Sequence, residues 1–203
     1  MKKYLLLSCL FLIINRGVAQ DFGAQLLFGT NFSQVDGDQL GGYHKLGLNT
    51  GIQINRNINE NWESAFEIRY SMKGAKKIID PEAPPTFTLD LKYHYLEVPF
   101  LIKYTGWQTI SPYVGISMGI NILNERDENG IITKESELRK TEVGFHLGGT
   151  YPLNNRWHID LRHSYSLLSI RDYPIEINSP ALFQRIGWFN RLITVGLNYQ
   201  LSH

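Results

Sequence analysis

Residues 95–104 read YLEVPFLIKY, an apolar run that nevertheless holds Glu97, Pro99 and Lys103. Side chains along a strand alternate between its two faces. Leu96, Val98, Phe100 and Ile102 therefore share one face, and Tyr95, Glu97, Pro99 and Lys103 the other. A strand buried in a soluble core would rarely keep both charges and the proline. One face on lipid and the other on a polar barrel interior accommodates all three. Pro99 has no backbone N–H to give a neighbouring strand, so a bulge or bend is expected there.

The alternation continues on both sides of this stretch. Across 110–122, Ile110, Pro112, Val114, Ile116, Met118, Ile120 and Ile122 oppose Ser111, Tyr113, Gly115, Ser117, Gly119 and Asn121. Similar segments at roughly 22–31, 43–56, 61–74, 141–151, 157–167 and 193–201, with 89–104, make eight predicted strands. Three connections are tight: NINE (57–60), TGWQT (105–109) and PLNN (152–155). The other four, 32–42, 75–88, 123–140 and 169–187, are long and polar. Short turns alternating with long loops mark a membrane barrel with a periplasmic and an outer end. Trp62, Tyr104, Trp107, Tyr151 and Trp157 flank the short turns, with Tyr199 on the same side. Aromatic rings of this kind favour the headgroup zone, so a periplasmic girdle is expected. Tyr43, Trp188 and Phe189 are candidates for the opposite rim.

The first residues carry a second kind of signal. Lys2 and Lys3 precede YLLLSCLFLII, and Gly17-Val18-Ala19 supplies small residues before a cleavage point. This is the layout of a secretory signal peptide over 1–19, leaving a barrel domain over 20–203. The only cysteine, Cys9, lies within that leader, so the mature chain would hold neither a disulfide nor a thiolate metal site. Losing Lys2, Lys3 and Arg16 leaves 17 basic and 19 acidic side chains, which offers no case for nucleic acid as a partner.

A soluble, lipocalin-like ligand-binding barrel is the structural alternative, with the same strands turned inside out. The polar faces carry Lys45, Glu63, Glu67, Arg69, Lys73, Glu97, Lys103, Glu142, Asp160 and Arg162, five acids and five bases. Such a balance suits ion pairs in a narrow lumen, where a lone charge is expensive. Glu97 and Lys103 are too far apart along one strand to meet, so each is expected to pair across strands, with Arg69, Arg162 or Glu142. Glycines 115, 119, 144, 148 and 196 on the same faces would make room for long Glu, Arg and Tyr side chains. His163 is a polar exception on the apolar side, placed near a rim.

Chemistry is harder to find. His146 and His158 share the polar face with Glu142, Asp160, Arg162, Ser164 and Ser166. A His/Ser/acid hydrolase acting on lipid would place its nucleophile at the lipid-facing rim, whereas these residues read as a packed network. His146 with Asp160 or His158 has no metal-site spacing. No catalytic, cofactor-binding or metal residue is assigned, and no cofactor. The long loops, with KKIIDPEAPPTFTL from Lys76, ERDENG and KESELRK in 123–140, and YPIEINSPALF in 169–187, are candidate binding surfaces.

YLEVPFLIKY followed by SPYVGISMGI resembles the pattern of the PorT family, the small proteins of Bacteroidetes with an outer membrane protein beta-barrel domain. The resemblance spans essentially the whole chain. It implies an all-β, eight-stranded antiparallel transmembrane β-barrel, an OmpA/OmpX-like up-and-down meander in the cell outer membrane. It implies outer-membrane lipid as the surroundings, the barrel assembly machinery as a partner during insertion, and no enzymatic activity. A secretion-system or surface protein is the partner it suggests for the long loops. The last residues, YQLSH, depart from the usual aromatic barrel ending. Alternatives left open are a narrow pore and the soluble barrel.

Overall fold

A computed structural model describes residues 22–38, 40–77, 88–107, 109–135, 137–171 and 187–202. The expected leader 1–19, most of the 75–88 loop and the YPIEINSPALF segment lie outside the described residues. Among the described residues nine strands run in chain order: β1 (Phe22–Asp36), β2 (Lys45–Asn59), β3 (Trp62–Lys76), β4 (Leu89–Tyr104), β5 (Ser111–Glu128), β6 (Ile131–Thr133), β7 (Thr141–Pro152), β8 (Trp157–Ser166) and β9 (Phe189–Ser202). Eight of them form a ring in the order β4-β3-β2-β1-β9-β8-β7-β5, closed by pairing of β4 with β5. All pairings are antiparallel. Closure leaves no unpaired edge in the ring, as lipid requires.

The faces settle which way the barrel is turned. Ile116 is 58% and Met118 67% exposed, whereas Glu67 is 0% and Arg162 1% exposed. Apolar side chains thus coat the outside and charges fill the inside, which excludes the lipocalin-like arrangement. At the periplasmic end Trp62 packs edge-on against Tyr104 at 5.1 Å, Tyr104 against Trp107 at 5.6 Å, and Trp157 against Tyr199 at 4.7 Å. Together with exposed Tyr151 these form the expected girdle.

Several local expectations are corrected. Pro99 makes no bulge against β3: Phe66 pairs with Phe100 and Arg69 with Glu97 in one continuous register, and only the intervening pairs are missing. The proline removes a donor, but rigid ladders on either side hold the alignment. The irregularity of β4 lies on its other edge, where the register with β5 slips between His94 and Tyr95. His94 is opposite Leu123 and Tyr95 opposite Asn121, so Ile122 is the extra residue. β1 runs on to Asp36, and β9 begins at Phe189 rather than 193. β5 reaches Glu128 and turns through Asn129 (φ 53°) and Gly130 (φ 83°) into β6. A hairpin therefore replaces much of the expected 123–140 loop. Positive φ at both central residues is the twist-matched two-residue turn for which Asn-Gly is the strongest signal.

The outer rim also differs from expectation. Trp188 is turned inward and buried, and Phe189 stacks on Tyr165 with an interplanar angle of 9°. On the outer face near this end, the Tyr70 hydroxyl and His94 Nδ1 share a hydrogen bond of 2.7 Å. His163 is outward-facing and exposed, paired with Ile193, one outward position below the Tyr165–Arg191 pair.

Candidate functional site

The lumen is the place where the sequence concentrates charge, and the closed sheet brings those charges into two groups. Nearest the periplasmic end, Lys103 Nζ lies 3.2 Å from Glu63 and donates to Gln53 Oε1 at 2.8 Å. Gln53 in turn donates to Glu67 at 2.6 Å. Glu67 accepts two bonds from the Arg162 guanidinium, both 2.9 Å, and lies 3.0 Å from Arg69. Arg162 Nε also donates to the Tyr113 hydroxyl at 2.8 Å, and Tyr113 donates to Asp160. The fork of a guanidinium matches a carboxylate in two parallel bonds, the strongest geometry available to such a pair.

Further out, Lys73 serves two carboxylates. It is paired with Glu97, and it donates to both oxygens of Glu142 at 3.0 Å. Ser166 and the Asn190 amide complete Glu142 with bonds of 2.6 and 3.0 Å. Glu97 and Lys103 do pair across strands, but with Lys73 and Glu63, not with Arg69, Arg162 or Glu142. Glu63 is the register neighbour of Lys103, whereas Lys73 passes its own neighbour Tyr93 and reaches Glu97 diagonally. Lys45 leaves the lumen network altogether and pairs with Asp90 at the outer mouth. The excess carboxylate left inside is met by the hydroxyl and amide donors around Glu142.

Glycines make space where the network needs it. A Cβ at Gly148 would fall 2.5 Å from the Tyr113 hydroxyl, and one at Gly119 3.2 Å from Glu97 Cγ. Gly115 is different: it faces Leu101, which is buried inward with Ala65 and Tyr113.

His146 is buried between two serines, its Nδ1 2.8 Å from Ser164 Oγ and its Nε2 2.8 Å from Ser117 Oγ. A hydrolytic triad needs a carboxylate on one imidazole nitrogen and the nucleophile on the other. Here hydroxyls occupy both, and Ser166 is bonded to Glu142. Asp160 is held by Tyr113 and lies 3.5 Å from Arg162, and His158 lines a small polar vestibule at the periplasmic mouth. The structure therefore separates the three residues that could have formed a metal or catalytic site. Among the described residues no group of three or more His, Cys, Asp or Glu side chains converges on a metal position.

The lumen ends in two unlike ways. The periplasmic vestibule, about 170 Å³, is lined by Gln25, Asn55, Glu63, Lys103, His158 and Gln200 among others. The outer mouth is closed by an apolar cluster of Val35, Leu89, Leu91, Tyr93, Leu138, Ile170 and Trp188. Chain crossing the mouth supplies part of it. Arg139 N–H donates to Ile170 O at 2.8 Å, and Ile170 N–H donates to Trp188 O at 2.8 Å. Above the cluster, Arg171 lies 4.4 Å over the Trp188 ring and donates to Glu137 at 2.7 Å. Loop composition gave no sign of this lid. Val35, Leu89 to Tyr93, Leu138, Ile170 and Trp188 come from five separate stretches and meet only after closure.

Apolar exterior, buried ion pairs and ring closure define an integral outer-membrane barrel. The outer membrane protein beta-barrel domain model matches residues 18–172, and the chain belongs to that family. Comparison with curated proteins finds no match. Among solved structures, the attachment invasion locus protein Ail of Yersinia pestis, in complex with the heparin analogue sucrose octasulfate, is similar with a TM-score of 0.54 and 14% identity, over 89% of this chain and 99% of that one. Neisserial surface protein A is similar with a TM-score of 0.53 and 14% identity, over 88% of this chain and 96% of that one. These likenesses concern the fold.

Proposed function

We propose that the protein is a non-conducting, non-enzymatic barrel that presents its outer segments to a macromolecular partner at the cell surface. The observation that carries this reading is the lumen, filled by ion pairs and capped by the apolar cluster at its outer mouth. A barrel without a water path acts through its surface, and eight strands leave an interior that side chains can fill. The outer segments are the part free to differ from other barrels. A component of a secretion assembly is the partner that the PorT resemblance suggests. Residues 1–19 would direct export and be removed, and the barrel assembly machinery would insert the rest.

Two measurements test the reading. Reconstituted in a planar bilayer, the protein is expected to show no discrete conductance steps, and porin-like steps would overturn the closed lumen. Replacing residues 125–140 with a two-residue turn should preserve the boiled-versus-unboiled gel shift while abolishing recovery of a partner cross-linked on intact cells. An unchanged cross-linking pattern would remove this hairpin from the proposal.

A further inference from the structure

Three buried polar atoms at the outer mouth have no hydrogen-bond partner among the described residues: the Tyr93 hydroxyl, Asn124 Oδ1 and Asp38 Oδ2. Tyr93 and Asn124 stand opposite each other on β4 and β5, one inward position below the Leu91–Arg126 pair. The charges that act on the Tyr93 hydroxyl are those of Glu135, Asp38, Arg126 and Arg171, so it lies close beneath the side chains that cover the mouth. A buried polar group without a partner lacks the hydrogen bonds that water would give it. The closed mouth therefore carries a cost that an open one does not.

Few bonds hold the mouth shut, and several of them lie at the surface. Residues 169–171 cross it, tied to the 138–139 stretch by one isolated antiparallel bridge, Leu138 with Arg171, and by the bond from Arg139 N–H to Ile170 O. On the other side Ile170 N–H donates to Trp188 O, and Trp188 N–H donates to Ser169 Oγ at 3.2 Å. The Ile170 side chain drops from this crossing into the apolar cluster and is fully buried. Arg171 clasps the crossing from above, paired with Glu137, 3.8 Å from Glu135 and stacked over the Trp188 ring. The Arg171 and Glu137 side chains are 24% and 47% exposed, and ion pairs so placed are weak and screened by salt. Each ring strand, by contrast, is laddered to a neighbour on both sides.

We propose that residues 169–171 form a strap, with Ile170 as its stopper, that swings off the outer mouth as a unit and lets water reach Tyr93, Asn124 and Asp38. The Arg171 clasp sets how often it opens. Opening ends at the outer third of the lumen, because Lys73, Glu97 and Glu142 are paired on ring strands that the strap does not carry with it. The strap is a reversible cover over a wettable cup, and the barrel below it stays filled.

The test is hydrogen exchange on the full chain in detergent micelles at constant pH. The Ile170 and Arg139 amides form the bonds that opening breaks, and amides of β4 and β5 inside the ring are the reference. Raising sodium chloride from about 20 mM to about 500 mM should speed both strap amides about threefold or more, with the ring amides unchanged. Arg171→Gln should exchange fast already at low salt and lose the salt response. Tyr93→Phe removes the unmet hydroxyl and should slow both strap amides. The heat-dependent gel shift reports whether each variant is folded, and the salt series tests the wild type if a variant is not. Strap amides as protected as the ring and indifferent to salt would overturn the proposal. So would unchanged or faster exchange in folded Tyr93→Phe, which would mean that the hydroxyl is satisfied while the mouth is closed.

Discussion

Arg162 shows what a buried charge demands in this barrel. It is 1% exposed and bonded to Glu67 through both terminal nitrogens. Arg162→Met leaves Glu67 with Arg69 as its one remaining basic partner among the described residues and takes the guanidinium away from Asp160, and removing one member of a buried pair costs about 3–5 kcal/mol. Adding Glu67→Gln to Arg162→Met removes one undercompensated carboxylate but takes from Arg69 its acidic partner, so only part of that loss should return. Urea titration of the unboiled gel band, with both variants beside the wild type, checks this. A double variant no more stable than the single one would mean that Arg162 contributes by packing on Tyr113, which it overlies at 5.0 Å. Every predicted polar-face charge except Lys45 lies in the lumen group, because strand alternation alone assigns a side chain to a face. The partners were not legible, since pairing depends on the stagger of the sheet and on how far a lysine can lean.

At the scale of elements, the lid joins the barrel wall to the segment after β1. Leu40 packs on the apolar cluster, and its N–H donates to Asp38 Oδ1 at 2.7 Å. Asp38 Oδ2 is buried without a partner among the described residues, and burial pushes the carboxyl up to about 6. The sign follows from proton binding: between its ordinary value and about 6, the folded segment holds a proton that an opened one releases. Packing here should therefore be firmest near pH 4 and loosen as pH rises through 6. Hydrogen exchange of the Leu40 and Gly41 amides, corrected for intrinsic rates, should show protection falling over that window. In Asp38→Asn the pH dependence should flatten, and an unchanged slope would assign it to another group. Among the elements, the eight ring strands were legible from period-two alternation, and β4 even in its bounds. The β5–β6 hairpin is hidden in the sequence because the charged run ERDENG lacks the apolar–polar alternation that would mark strands on both sides of Asn129-Gly130, the pair that makes the turn. The lid was not legible, since Val35, Leu91, Leu138 and Trp188 share no local pattern.

For the whole molecule, the inside-out distribution of polarity is legible in the sequence, because turn lengths and aromatic positions agree with the strand faces. One feature of the ring reaches further. β1 and β9 lie side by side, with Ala24 opposite Ser202. The first and last strands thus finish together on the periplasmic side, and the seam between them is an antiparallel ladder like the others, with one register slip between Ala24 and Gln25. Where the chain happens to be cut is then incidental to the architecture. A circular permutant joining Ser202 to Phe22 through a short glycine linker, with new ends opened at Glu60–Asn61, should insert and show the wild-type heat shift. Failure of that permutant, with the linker length varied, would mean that the order in which strands are made governs assembly as well as their final neighbours.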